Sequence, residues 1–285
     1  MRIARIRTDD GEVLAFAAPG REGWVSAAAL GLPLATIGDV VAAADLVRDR
    51  LARAVPDLPE DSALAAPVGR PGKILAVGLN YLEHIAEVGK PRPDEPMIFA
   101  KYPSAVSGPG DPIELNPAVT SEVDYECELA VVIGRAARNV DRENAAAHVL
   151  GYCVANDVSA RDVQRSQSQI SRSKSLDTFC PIGPWITTAD EVADVHAVRI
   201  ATTVNGETRQ DSTTADLLFD VPFLVSYLSQ TTTLEPGDFI LTGTPSGVAS
   251  GMKPPRYLAE GDVVRCTVEG LGALENRVVA PVMAR

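Results

Sequence analysis

The sequence predicts an α+β protein dominated by strands. Short runs rich in Val, Ile, Leu and Phe recur along the chain, each closed by Gly, Pro or Asp. Helical spacing of apolar residues is confined to a few segments. Strands and helices also fail to alternate in the βαβ order of a doubly wound sheet, which leaves a β-rich mixed barrel or roll as the architecture.

From the N-terminus, Arg2 to Ile6 and Val13 to Phe16 alternate as the arms of a hairpin, with Asp9-Asp10-Gly11 as its turn. Apolar residues then recur at three and four positions over 38–54, the spacing of an amphipathic helix. Val55 to Pro71 holds four prolines and reads as a linker. A boundary near residue 66 separates a small N-terminal α/β module, 1–65, from a larger body, 66–285. Strand candidates in the body are Ile74–Val77, Met97–Ala100, Leu129–Ile133, Gly151–Ala155, Ile200–Val204, Phe239–Leu241 and Val263–Val268. Helices are expected at 142–149 and 216–229, the second with an apolar stripe interrupted by Pro222.

With 285 residues and 46% hydrophobic content, the chain can bury its own core without covalent staples. Its formal charge of −12 repels phosphate backbones, and no Lys/Arg-rich patch offsets it, so nucleic acid is not an expected partner. A small anionic substrate stays open, because a bound divalent cation reverses the local sign. No run approaches the roughly 18 apolar residues of a membrane span, and the start lacks a secretory pattern. A cytoplasmic protein is therefore expected, with no membrane partner. Cys127, Cys153, Cys180 and Cys266 are far apart, with no CxxC spacing, and read as buried core thiols.

The most informative stretch is Asp124-Tyr125-Glu126-Cys127-Glu128-Leu129. Side chains alternate along a strand, so Glu126 and Glu128 share a face. Side by side, two carboxylates either stand on a solvated face or need a cation between them, and hard oxygen donors suit Mg²⁺ or Mn²⁺. The run passes straight into an apolar strand, which favours the cation. Asp157 follows another apolar strand and either completes a three-carboxylate set or caps a turn. His84 and Glu87 are three apart and share a face of a helical turn, as an acid/base dyad or as a surface pair.

NYLEHIAE, FAKYPSAVSGPG, DYECELAVVIG, NDVSARDVQ, KSLDTFCPIGPW, VNGETRQ and LTGTPSGV occur in this order. Together they resemble the catalytic domain of the fumarylacetoacetate hydrolase family over about 70–285. The resemblance implies a twisted β-roll at the centre of the fold, a homodimer, and a Mg²⁺ or Mn²⁺ site. It implies Glu126, Glu128 and Asp157 as metal ligands and His84 with Glu87 as a water-activating dyad. Lys174 would stabilise developing enolate charge, while Lys101, Gln164 and Thr244 would line the pocket and contact substrate. Arg161 would lie near the metal, in a structural or a catalytic role. One departure is Gln169-Ile170-Ser171-Arg172-Ser173 before Lys174, where the family places an aromatic and a small residue. The short N-terminal module resembles that of bacterial degradative relatives and argues against fumarylacetoacetate itself as substrate.

The first reaction this implies is hydrolytic carbon–carbon cleavage of an acylpyruvate-like 2-oxo acid. The alternatives are isomerisation of a 2-hydroxy-diene-dioate or decarboxylation of oxaloacetate, which share an enolate but need no attacking water. A non-catalytic binding protein on the same fold is the third reading, and retention of the carboxylates, the dyad and Lys174 counts against it.

Overall fold

The computed structural model describes residues 1–280. Its larger sheet has eleven strands. Along its main path run Val25–Ser26, Gly11–Ala17, Arg2–Thr8, Cys180–Thr188, Val149–Asn156, Cys127–Ile133, Phe239–Leu241, Ile74–Gly78 and Met97–Lys101. A second sheet of five strands is ordered Glu207–Thr213, Arg199–Val204, Val263–Val268, Gly272–Val279 and Ile113–Glu114. The fold is thus α+β and strand-rich as expected, and neither sheet closes into a barrel.

Strand Cys127–Ile133 is buried at every position. Its alternation feeds two cores: Cys127, Leu129, Val131 and Ile133 pack with Ile200, Val204, Cys266 and Val268 of the second sheet. Ala130 and Val132 pack with Phe16, Val40 and Val47 of the N-terminal segment. Burying a strand on both faces produces the near-continuous apolar run seen in the sequence.

The first 65 residues share the larger sheet with the body, since Arg2 pairs with Thr187 and Ile3 with Ile186. The hairpin forms as Arg2–Thr8 and Gly11–Ala17, with Gly11 at φ 118°. The helix expected over 38–54 is two helices, Ile37–Ala42 and Ala44–Arg53, the first opened by a capping box between Thr36 and Asp39. No proline or glycine forces the break at Ala43; Ile37, Val40, Val47 and Leu51 all reach one core across it.

Three other elements differ from the sequence reading. The segment Arg142–His148 is a 3-10 helix. Pro222 does not interrupt the last helix but opens it: the helix is Val221–Thr231, with Asp220 Oδ1 accepting from the Phe223 N–H at 2.9 Å. Proline is tolerated there because the first-turn N–H groups have no partner within the helix. Strand Cys180–Thr188 escaped notice because Pro181 and Pro184 argue against a central strand. The sheet accommodates them by shifting register opposite Tyr152 and Val154.

All four cysteines are buried and free, and burial pushes the Cys180 thiol up to about 12. No helix among the described residues is long and apolar enough to cross a membrane.

Candidate active site

Strand register builds the site. Cys127 pairs with Asn156, so Glu126 and Asp157 meet just beyond that pair, where the Asp157 N–H donates to the Glu126 carbonyl at 2.8 Å. On the other side, Phe239–Leu241 pairs with the same strand and continues as Thr242-Gly243-Thr244. There the Gly243 N–H donates to Glu128 Oε2 at 2.7 Å, and Thr244 Oγ1 to the Cys127 carbonyl at 2.9 Å. Glycine is required at 243: φ is 99°, and a Cβ would lie 2.9 Å from Asn80 Cβ.

One carboxylate oxygen each from Glu126, Glu128 and Asp157 lies within 4.8 Å of the others, and all three residues are buried. Cations surround two of them. Arg161 donates from Nε to Asp124 Oδ2 at 2.8 Å and from Nη2 to Glu126 Oε1. Lys174 Nζ bridges Glu126 Oε2 at 2.6 Å and Asp157 Oδ2 at 2.7 Å, with the Phe99 ring centroid at 5.2 Å. Lys101 Nζ donates to Asp157 Oδ1 and to the Lys174 carbonyl.

Glu128 is left without a cationic partner among the described residues; its hydrogen bond comes from the Gly243 N–H. Burial, then the charges of Asp157 and Glu126, push its carboxyl well above the carboxylate range. Burial acts on Glu126 in the same sense, but Lys174 and Arg161 outweigh it and hold that carboxyl at about 2. Burial lowers Lys174, and the charges of Asp157 and Glu126 more than offset it, so its ammonium is stabilised. A buried carboxylate with a spare oxygen beside two others fits a hard divalent cation of the Mg²⁺ or Mn²⁺ kind.

The dyad rides on helix Leu82–Glu87. His84 Nδ1 and Glu87 Oε2 are 2.9 Å apart, and Glu87 Oε1 accepts from the Gly247 N–H at 2.8 Å. The carboxylate fixes Nδ1 as the donor and leaves Nε2 for proton transfer. Gly247 has φ 100°, and a Cβ would stand 2.0 Å from the Arg209 carbonyl. Asn80 anchors the helix to the carboxylate strands, donating to the Thr242 carbonyl at 2.7 Å and the Phe219 carbonyl at 3.0 Å.

A cavity of about 720 Å³ opens on this machinery, and its walls include His84, Glu87, Glu126, Glu128, Arg161, Gln164, Lys174 and Thr244. A second hollow of about 760 Å³, beside Pro184, Trp185 and Arg265, holds none of them. One sequence reading changes. Lys101 lies beneath the wall rather than in it, 1% exposed, and its ammonium meets Asp157 instead of open space. The Thr244 hydroxyl is already engaged, by the Cys127 carbonyl and by Gln210 Nε2 at 2.8 Å. Asp157 is also below the wall, at 0% exposure.

Arg172 is exposed and outside the wall, while Ile170 lines it and the Phe99 ring lies against the Lys174 ammonium. The sequence reading passed over Asp124, Phe99 and Gln210. Asp124 carried a usable signal, since Asp124, Glu126 and Glu128 follow strand alternation. Phe99 and Gln210 stand in two of the motifs, FAKYPSAVSGPG and VNGETRQ, but their contacts are set by tertiary packing.

A strand-built floor of buried carboxylates under an acid/base pair defines an enzyme scaffold. A model described as "Fumarylacetoacetate (FAA) hydrolase C-terminal" matches residues 73–279, and the chain belongs to that family. It is 48% identical over 237 residues to oxaloacetate tautomerase FAHD2A, mitochondrial, of Bos taurus, covering 82% of this chain and 75% of that one. The solved fumarylacetoacetate hydrolase of Exiguobacterium antarcticum superposes with TM-score 0.86 at 40% identity, covering 98% of this chain and 99% of that one. Maleylpyruvate hydrolase of Sphingobium sp. SYK-6, solved with manganese(II) and pyruvate, superposes with TM-score 0.80 at 32% identity, covering 99% and 100%.

Proposed function

We propose that this protein is a divalent-metal-dependent tautomerase interconverting the keto and enol forms of a small 2-oxo dicarboxylic acid of the oxaloacetate type. The observation that carries the reading is one cavity walled by a His–Glu pair and by Glu126 and Glu128, with Asp157 of the same three-carboxylate cluster just beneath, in a chain 48% identical to a protein named oxaloacetate tautomerase. Carbon–carbon hydrolysis, the first reaction implied by the motifs, becomes the second reading. It keeps one support: with Nδ1 held by Glu87, the free Nε2 of His84 suits activation of water as well as abstraction of a carbon-bound proton.

Glu126, Glu128 and Asp157 are the residues that would hold Mg²⁺ or Mn²⁺. Such an ion supplies Lewis-acid polarisation of the 2-oxo acid's oxygens when bound. The chain's own residues do the rest. His84, oriented by Glu87, takes the proton from C3; the C3–H electron pair becomes the C2–C3 double bond, and the former carbonyl electrons rest on the C2 oxygen. The Lys174 ammonium offsets that charge, and a proton returned to the oxygen completes the enol with no redox partner. Gln164 and Arg161 in the wall orient the carboxylate.

Two further proposals are a homodimer, which the family membership supports, and a cytoplasmic location, which rests on the sequence expectation alone, the Bos taurus relative being named mitochondrial. Light scattering that found a fully active strict monomer would remove the first.

The experiment follows oxaloacetate keto–enol equilibration by ultraviolet absorbance with Mn²⁺-loaded protein, beside acylpyruvate cleavage and oxaloacetate decarboxylation. Accelerated equilibration with slow or absent bond cleavage is the expected result. Cleavage of acylpyruvates without accelerated equilibration overturns the proposal in favour of the hydrolase.

A further inference from the structure

We infer that Lys90 and Lys253 form a second anion subsite at the cavity that reads the distal carboxylate of the substrate, so that dicarboxylic 2-oxo acids are preferred to monocarboxylic ones. This deepens the tautomerase reading and rests on it for the position of the 2-oxo end.

Charge in the wall carries the inference. The chain bears a net −12, yet cationic side chains outnumber carboxylates among the residues lining this cavity. The carboxylates are engaged: Glu126 by Arg161 and Lys174, Glu128 by the Gly243 N–H, and Glu87 by His84 and the Gly247 N–H. Arg165 is engaged as well, by Glu122 outside the cavity. Lys90 and Lys253 remain, each lining the cavity, each exposed, and neither with a hydrogen bond or ion pair from its ammonium among the described residues.

Backbone geometry ties both lysines to the dyad. Lys90 lies three residues beyond Glu87, where its N–H closes the helix end on the Ile85 carbonyl at 3.2 Å. Lys253 lies two residues beyond Gly251, a glycine packed so closely that a Cβ would stand 2.6 Å from Glu87 Oε1. One segment thus continues the helix that carries the dyad, and the other packs against Glu87 from a distant part of the chain. Glu126, Glu128 and Lys174 serve the 2-oxo end, and a second negative group on the substrate finds its charge complement at these ammonium groups. Ammonium groups on flexible stems suit a carboxylate whose distance varies with chain length, where a rigid guanidinium fork would not.

The test measures affinity by calorimetry on Mn²⁺-loaded protein, with oxaloacetate and pyruvate as the probes. Variants are Lys253→Met, Lys90→Met, the double substitution and Arg165→Met. We expect oxaloacetate affinity to fall about tenfold for each lysine removed, with pyruvate affinity unchanged and with the salt dependence of oxaloacetate binding reduced in the double variant. Equal losses for both probes, no loss in the double variant, or a loss specific to Arg165→Met overturns the subsite. Wild-type protein that binds oxaloacetate through the lysines but leaves its tautomers unexchanged supports the subsite and refutes the tautomerase reading alone.

Discussion

Glu126 and Glu128 stand two residues apart, and their surroundings drive them in opposite directions: one is held ionised by Lys174 and Arg161, the other is pushed toward its neutral form. Their substitutions should therefore differ. Glu128→Gln replaces a buried carboxyl that has no counter-ion with a neutral amide of the same shape, so the metal-free protein should melt no lower than wild type while Mn²⁺ affinity falls at least about a hundredfold. Glu126→Gln strips a partner from two buried cations and should cost the metal-free protein about 3 kcal/mol. Thermal melts and calorimetry on both variants check the contrast. Strand alternation made this pair legible in the sequence, and the same alternation pointed at Asp124 unused. The depth of Lys101 was not legible, because the residues that bury it, Asp157 and Lys174, lie 56 and 73 positions away.

Elements rich in one local signal were read nearly to their ends; Phe239–Leu241 and Val263–Val268 form as expected. Failures cluster where tertiary context overrides local chemistry. Strand Cys180–Thr188 tolerates two prolines through a register shift, and Glu207–Thr213 lacks an apolar face that would announce it. The last helix depends on its cap, and Asp220→Ala should cost about 1 kcal/mol in denaturant unfolding. Gly247 joins an element to the chemistry, since its backbone both turns through positive φ and donates to Glu87. Gly247→Ala should cost about 1–3 kcal/mol, and it should lower kcat more than metal affinity because the dyad, not the carboxylate floor, loses its support. A variant with unchanged kcat would detach the loop from catalysis.

Across the whole molecule, one central strand couples the N-terminal core, the second sheet and the carboxylate floor, so occupancy of the floor should be felt as global stability. Mn²⁺ at a hundredfold excess over its Kd should add about 2.7 kcal/mol to unfolding, an increment absent in Glu128→Gln. The family and the β-rich body were legible because seven motifs keep their order. The sharing of one sheet by residues 1–65 and the body was not, because Arg2 and Thr187, partners on neighbouring strands, stand far apart in the sequence. Reaction type lies beyond composition and periodicity alike, since hydrolysis and tautomerisation call on the same groups. The most direct test is exchange of solvent deuterium into C3 of oxaloacetate by Mn²⁺-loaded protein, followed by NMR for wild type and His84→Ala. Wild type should exchange well above the metal-catalysed background, and His84→Ala should exchange about 10²–10⁴ times more slowly while still binding Mn²⁺ and oxaloacetate. Near wild-type exchange by His84→Ala, or none by wild type, would contradict a tautomerase driven by this dyad.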